Sequence, residues 1–226
     1  MLLPILLLIS TISLVEAGKL TPNKYELELT PEFFGDNSFT GKAKIHVDVT
    51  GSVEEFDLQV SKDLEVKKVI FWAADAIYRG NPNLKGGTAT FKKDGDKIHV
   101  TLLGAITKED IKIKGFIEIA YKGKAGKKGA SKGLFLINDN DYGTNLKNGN
   151  AIYLFPILED VAAPLTLSVI TPYRAGVETK LKVGDHKSVE GEELISNNFN
   201  SGAEKIKVSN LEFKVNAPRV LILDSN

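Results

Sequence analysis

The stretch Gly149-Asn-Ala-Ile-Tyr-Leu-Phe-Pro-Ile-Leu-Glu-Asp-Val-Ala-Ala-Pro-Leu-Thr-Leu-Ser-Val-Ile-Thr-Pro172 sets how the rest of the chain is read. An apolar run, Ala151–Phe155, ends at Pro156. The acidic pair Glu159 and Asp160 follows, and Pro164 opens a second apolar run that ends at Pro172. Proline has no N–H to give to a ladder, so each one marks a point where pairing stops. The stretch predicts a strand, a sharp turn and a strand. Neighbours on extended backbone point to opposite faces, so Glu159 and Asp160 are poor partners for paired-carboxylate catalysis. We read them as a turn that caps a backbone group or pairs with a lysine.

Working outward, the same grammar recurs. Lys24–Thr30 alternates, with Tyr25, Leu27 and Leu29 on one face and Glu26 and Glu28 on the other. Phe39–Val49 places Ala43, Ile45, Val47 and Val49 opposite Lys42, Lys44, His46 and Asp48. Period-two alternation of this kind marks half-buried strands. Phe56, Leu58 and Val60 form a third strand. Leu64–Ala74 forms a fourth, with Val66, Val69 and Phe71 inward. Trp72, in a run with Ile70 and Phe71, is assigned to the core rather than to a surface anchor. Thr88–Phe91, Ile98–Leu103, Ile111–Tyr121 and Gly133–Ile137 are further strands, and Gly80–Asn83 is a turn. The only helical signal is a turn near Lys108–Asp110. Beyond Pro172 the pattern predicts strands at Val177–Val183, Ser188–Ile195, Lys205–Val215 and Val220–Leu223, with a turn at Gly184-Asp185-His186. Short strands at this spacing predict an antiparallel all-β sandwich in one domain, residues 18–226.

Composition narrows the function. The 226 residues carry 29 basic and 29 acidic side chains, a formal net charge of zero, which argues against bulk attraction to nucleic acid or an anionic membrane. There is no cysteine, hence no thiol nucleophile and no thiolate metal ligand. Residues 1–17 read as a signal peptide. Leu2–Ile9 is an apolar core too short to span a bilayer, and Val15-Glu16-Ala17 offers a cleavage site before Gly18. This predicts a secreted, extracellular protein with no transmembrane segment in the mature chain.

Lys122–Lys132 is basic and glycine-rich. Lys124, Lys127, Lys128 and Lys132 form either a polyanion-binding loop or a solvated hairpin tip. Asn138-Asp139-Asn140-Asp141-Tyr142-Gly143 has a calcium-like look, but Gly143 is one place too early for an EF-hand and Asn150 stands where a bidentate Glu is needed. It reads as a turn.

Several segments in order carry a resemblance. These are Tyr25-x-Leu-x-Leu-x-Pro31, Phe39-x-Gly41-x-Ala-x-Ile45-x-Val47, Leu64-x-Val66, Ile117-x-Ile119-x-Tyr121-x-Gly123, Gly133-Leu134-Phe135, Phe155-Pro156-x-x-Glu159-Asp160, Pro172, Ser196-Asn197, and Phe213 with Pro218 before Val220–Leu223. Together they resemble the N-terminal β-domain of the M1-family zinc aminopeptidases, over nearly the whole mature chain and without the catalytic domain. The resemblance implies a saddle-like β-sandwich. It also exposes departures. Ile152 stands where the family has Arg, Glu159-Asp160-Val161 replaces Asp-Glu-Pro, and Leu146–Asn150 lacks the polar residue that reaches a substrate's amino terminus.

The family's chemistry needs two histidines one helical turn apart with a glutamate between them. Here the three histidines are His46, His99 and His186, and the only methionine is Met1, so neither His-Glu-x-x-His nor Gly-Ala-Met-Glu-Asn exists. A three-histidine site would have to be gathered by the fold. No catalytic residue, cofactor or metal ligand is assigned, and no nucleophile elbow, phosphate loop or dinucleotide fingerprint occurs. The expected function is that of a secreted, non-catalytic binding module with a protein or peptide partner. The alternatives are the non-catalytic portion of a split aminopeptidase and a glycan- or lipid-binding sandwich that uses the lysine loop.

Overall fold

The computed structural model describes residues 18–33, 35–73, 87–106, 113–138, 141–189 and 193–218. The expected signal peptide, the expected turns at Gly80–Asn83 and Lys108–Asp110, Asp139 with Asn140, and the expected strand at Val220–Leu223 lie outside the described residues. The strands are Lys19–Pro31 (β1), Ser38–Thr50 (β2), Val53–Gln59 (β3), Glu65–Ala73 (β4), Gly87–Asp94 (β5), Lys97–Ile106 (β6), Ile113–Lys124 (β7), Gly133–Leu136 (β8), Tyr142–Asn145 (β9), Leu165–Pro172 (β10), Gly176–Thr179 (β11), Lys182–Ser188 (β12), Leu194–Asn200 (β13) and Phe213–Asn216 (β14). Ten form one sheet, in the order β12-β13-β10-β1-β2-β7-β4-β5-β6-β3, and four form a second, β11-β14-β9-β8. Strand β5 is the fold line. Its first residues pair with β4 and the rest with β6, and β6 carries β3 back so that Phe56 meets Phe71 of β4 with ring centroids 6.0 Å apart. The all-β architecture stands.

The alternating strands bury the predicted faces. Tyr25, Leu27 and Leu29 of β1 and Ala43, Ile45, Val47 and Val49 of β2 are all in the core. In β4 the inward set Val66, Val69 and Phe71 breaks strict alternation, and a bulge between Val66 and Lys68 accounts for it. The extra residue re-aims one side chain. Two cross-strand pairs explain a pair of sequence signatures. Phe39 lies opposite Gly123, and Gly41 lies opposite Tyr121. A Cβ on either glycine would run into the facing ring. Each aromatic occupies the space its partner glycine leaves, which is why Phe-x-Gly and Tyr-x-Gly recur in register.

Several expectations are corrected. The large sheet is mixed, because β10 runs parallel to β1, Tyr25 aligning with Leu165 and Leu29 with Val169. A parallel pair needs a long connection, so nothing local in the sequence signals it. Ala151–Phe155 is not a strand. Asn150–Tyr153 is a 3-10 turn, entered through Gly149 at φ 81°. The buried residues of this stretch, Ala151 in the turn and Leu154 and Phe155 just after it, fall three and four apart, a helical period. Trp72 is 38% exposed, because with Phe71 buried the next side chain must face out. Val177–Val183 is divided between β11 and β12, which lie in different sheets. Gly184-Asp185-His186 is not a turn but an irregularity within β12, between Val183 and His186. Of the expected strand Ser188–Ile195, Ser188 ends β12 and Leu194 and Ile195 open β13. Lys205–Val215 contains a 3-10 turn, Val208–Asn210, before β14.

The stretch from Gly149 to Pro164 clips the layers together. Ile157 bridges Gln59 at the end of β3, Ala163 bridges Ile206, and the Ile152 carbonyl accepts the Ser61 N–H at 2.9 Å. The Tyr25 hydroxyl donates to the Glu159 carbonyl. Asp160 accepts the Ser209 N–H at 3.1 Å, the capping role expected of this acidic pair. The small sheet is joined to the large one by Tyr142, whose hydroxyl donates to the Glu32 carbonyl at 2.6 Å and whose ring meets Phe33 edge-on at 5.5 Å.

Candidate binding surface

While one face of β1, β2, β4, β7 and β10 builds the core, the other faces outward. Register aligns residues far apart in sequence into rows across it. Trp72 (β4), Phe116 (β7), His46 (β2) and Lys24 (β1) are direct cross-strand neighbours. The next row is Ile70, Glu118, Lys44, Glu26 and Thr166. Cross-strand neighbours lie close enough to interact, and these do. Trp72 stacks on Phe116 with ring centroids 5.3 Å apart and planes 22° apart. The Lys44 ammonium sits 4.1 Å from the Phe116 centroid, a cation–π contact. His46 Nε2 lies 3.0 Å from a Glu26 carboxylate oxygen, and Lys24 reaches the same oxygen at 2.6 Å.

Three hollows cover this face. One of about 530 Å³ lies beside His46 and Gly115, one of about 700 Å³ lies over β1, β2 and β10, and one of about 430 Å³ reaches Val189 and Leu194. The first two share Lys24, and the last two share Glu28 and Lys42, so the three adjoin as an open groove, with Trp72 and Phe116 beside its His46 and Gly115 end rather than lining it. Alternation in the sequence places Glu26, Glu28, Lys42, Lys44, His46 and Asp48 on the polar side of their strands, but it assigns Trp72 to the core. That they line up in rows depends on register between distant strands, which carries no local signal.

Each histidine has its own local partners. Partial burial lowers the pKa of His46 despite Glu26. His99 is held between Asp57, 3.0 Å from Nδ1, and Glu55, 3.1 Å from Nε2, and these hydrogen bonds raise its pKa. His186 Nδ1 lies 3.0 Å from Asn197 Oδ1. Among the described residues, no group of three His, Asp or Glu side chains is placed to hold a metal ion.

The lysine loop is dispersed. Lys124 ends β7 and pairs with Asp36 at 2.5 Å, which holds that carboxyl down to about 2. Lys132 lies 4.9 Å from the centroid of the Tyr153 ring. Lys127 and Lys128 are exposed at the tip.

No protein-family model matches the sequence, and no curated protein matches it. A solved structure does. A mutant M1 zinc metallopeptidase from Deinococcus radiodurans superposes with a TM-score of 0.66 over 87% of this chain, at 15% sequence identity. The match takes in 42% of that chain, so the protein spans less than half the length of the structure it resembles. At this identity the likeness is one of fold. The architecture is that of a β-rich segment of an M1 metallopeptidase, consistent with the N-terminal domain the sequence resembles. No helix of the described residues is long and apolar enough to cross a membrane.

Proposed function

We propose that the chain is a secreted, non-catalytic module that works by binding a protein or peptide. One observation carries the reading. The fold is shared with 42% of a zinc metallopeptidase, yet the sequence contains no His-Glu-x-x-His. At 15% identity the likeness supports a common scaffold. Function lives in sites grafted on folds, so a retained scaffold without that motif is best read as an interaction surface.

The test is to incubate the secreted protein with zinc and a panel of aminoacyl-aminocoumarin substrates, alone and with a co-purified partner fraction. No turnover in either case is the expected result. Chelator-sensitive turnover by the chain alone would falsify the proposal. The partial coverage of the metallopeptidase also favours a second reading, in which this chain is one portion of a split aminopeptidase. Turnover only with the partner fraction selects it. Amino-terminal sequencing of the exported product should begin at Gly18.

A further inference from the structure

We propose that the outward face of the large sheet, from β12 to β4, binds a neutral oligosaccharide, with the stacked Trp72–Phe116 pair beside the groove as the platform for one sugar ring. The inference does not depend on whether the protein has a peptidase partner.

Three features select this ligand. The first is the aromatic stack. Phe116 is the base of the pair and Trp72 its exposed ring, 38% accessible, beside a row that carries Glu118, Lys44 and Glu26. Aromatic rings with one wet side are suited to ligands that are apolar on one face and polar at the edge, as a pyranose is. The second is charge. The central hollow is lined by four lysines and four carboxylates. Lys24–Glu26 and Lys42–Glu28 already neutralise each other at 2.6 and 2.9 Å. A polyanion or a polycation gains little from such a surface. A neutral polyol finds donors and acceptors side by side. The third is the hydroxyl and amide character of the far bank, where Ser168 and Ser196 share a hydrogen bond of 2.8 Å and Asn198 donates to the Asp185 carbonyl at 3.0 Å.

A peptide is a poorer fit. Extended peptides gain affinity by adding to a sheet edge, where backbone groups are free, whereas Trp72 and Phe116 stand on β4 and β7, paired strands inside the sheet. Its width supports a chain of sugars. Five adjacent strands at ~4.8 Å spacing span about 19 Å.

The decisive experiment uses the secreted protein on an array of neutral, sialylated and sulfated oligosaccharides, with calorimetry on any glycan retained. Binding to a neutral glycan is expected, unchanged in 0.5 M NaCl. Trp72→Ala should weaken it at least tenfold and Glu118→Gln several-fold, while Lys127→Ala with Lys128→Ala leaves it intact. Trp72 and Glu118 lie on the outward face, and both variants should keep the parent circular dichroism and a single cooperative melt, Trp72→Ala melting a little lower for the lost stack. Three results would overturn the proposal: no neutral glycan bound, binding confined to sulfated glycans and lost in salt, or neutral-glycan binding indifferent to Trp72→Ala. A peptide that occupies the groove and is lost with Trp72→Ala would also overturn it.

Discussion

Two buried tyrosines differ in one hydrogen bond, and that difference should be measurable. Tyr25 donates to the Glu159 carbonyl, while the Tyr121 hydroxyl has no partner among the described residues. Burial raises both phenol pKa values, so both stay neutral. A satisfied buried hydroxyl contributes about 1 kcal/mol, and an unsatisfied one costs about 1–3 kcal/mol. Tyr25→Phe should therefore lower the urea midpoint, whereas Tyr121→Phe should leave it unchanged or raise it. Equal losses would mean that Tyr121 is satisfied after all. Gly41 tests the ring-over-glycine pair. Replacing a glycine by alanine gains about 0.4–1 kcal/mol from the unfolded chain. Overpacking against a buried ring costs about 1–3 kcal/mol, so the clash wins. Gly41→Ala should destabilise, and Gly41→Ala with Tyr121→Leu should recover part of the loss.

At the scale of elements, legibility followed period. Strands with one wet face write their burial into alternate residues, so Tyr25, Leu27 and Leu29 could be placed inward without a structure. Three- and four-residue spacing was also present at Ala151, Leu154 and Phe155, but in so short an apolar run the two periods compete. The punctuation settles it. Asn148 and Gly149 both have positive φ, 56° and 81°, and turn the chain into the 3-10 turn. A Cβ at Gly149 would meet nothing within 4 Å, so the cost of Gly149→Ala is backbone strain alone, about 1–2 kcal/mol before the unfolded-state gain. Melting should fall by a few degrees, while Gly149→Asn falls less, because asparagine tolerates this region. What the sequence could not signal was partnership over distance: β10 beside β1, the bulges in β4 and β12, and the row that brings Lys24, His46, Phe116 and Trp72 together.

The β3–β6 ladder adds a pH dependence at this scale. Asp57 and Glu55 on β3 raise the pKa of His99 on β6 above its usual value near 6.5. A base whose folded pKa is raised binds more protons when folded. Its stabilisation is full below the unfolded value and is lost as pH rises through the folded one. His46, with its pKa lowered, has the opposite slope: stability falls as pH drops below about 6.5. Comparing wild type with His99→Gln cancels the His46 term. The melting-temperature gap between the two proteins should be larger at pH 5.5 than at pH 8, and a gap independent of pH would rule out the charged pair.

For the whole molecule, the position of the groove matters as much as its lining. It lies over the interior strands β10, β1, β2 and β7 and runs out across β13 to Asp185 and Lys187 of the edge strand β12. The strands beneath it carry Tyr25, Leu29, Ala43, Ile45, Ile117, Ile119 and Val169 at full burial. Edge strand β12 is almost wholly exposed and irregular at its centre. Local opening draws on the least buried elements first, so amides of β12 should exchange early and those of β1 and β2 only with global unfolding. A ligand held on the central strands meets a surface that is already ordered, so little ordering entropy is lost on binding. Hydrogen exchange followed by mass spectrometry checks this directly. Peptides from β1 and β2 should be the slowest to exchange, and a bound ligand should leave their rates unchanged. If β1 exchanged as quickly as β12, the groove would lie on a fluctuating sheet, and a preorganised binding face would no longer describe this protein.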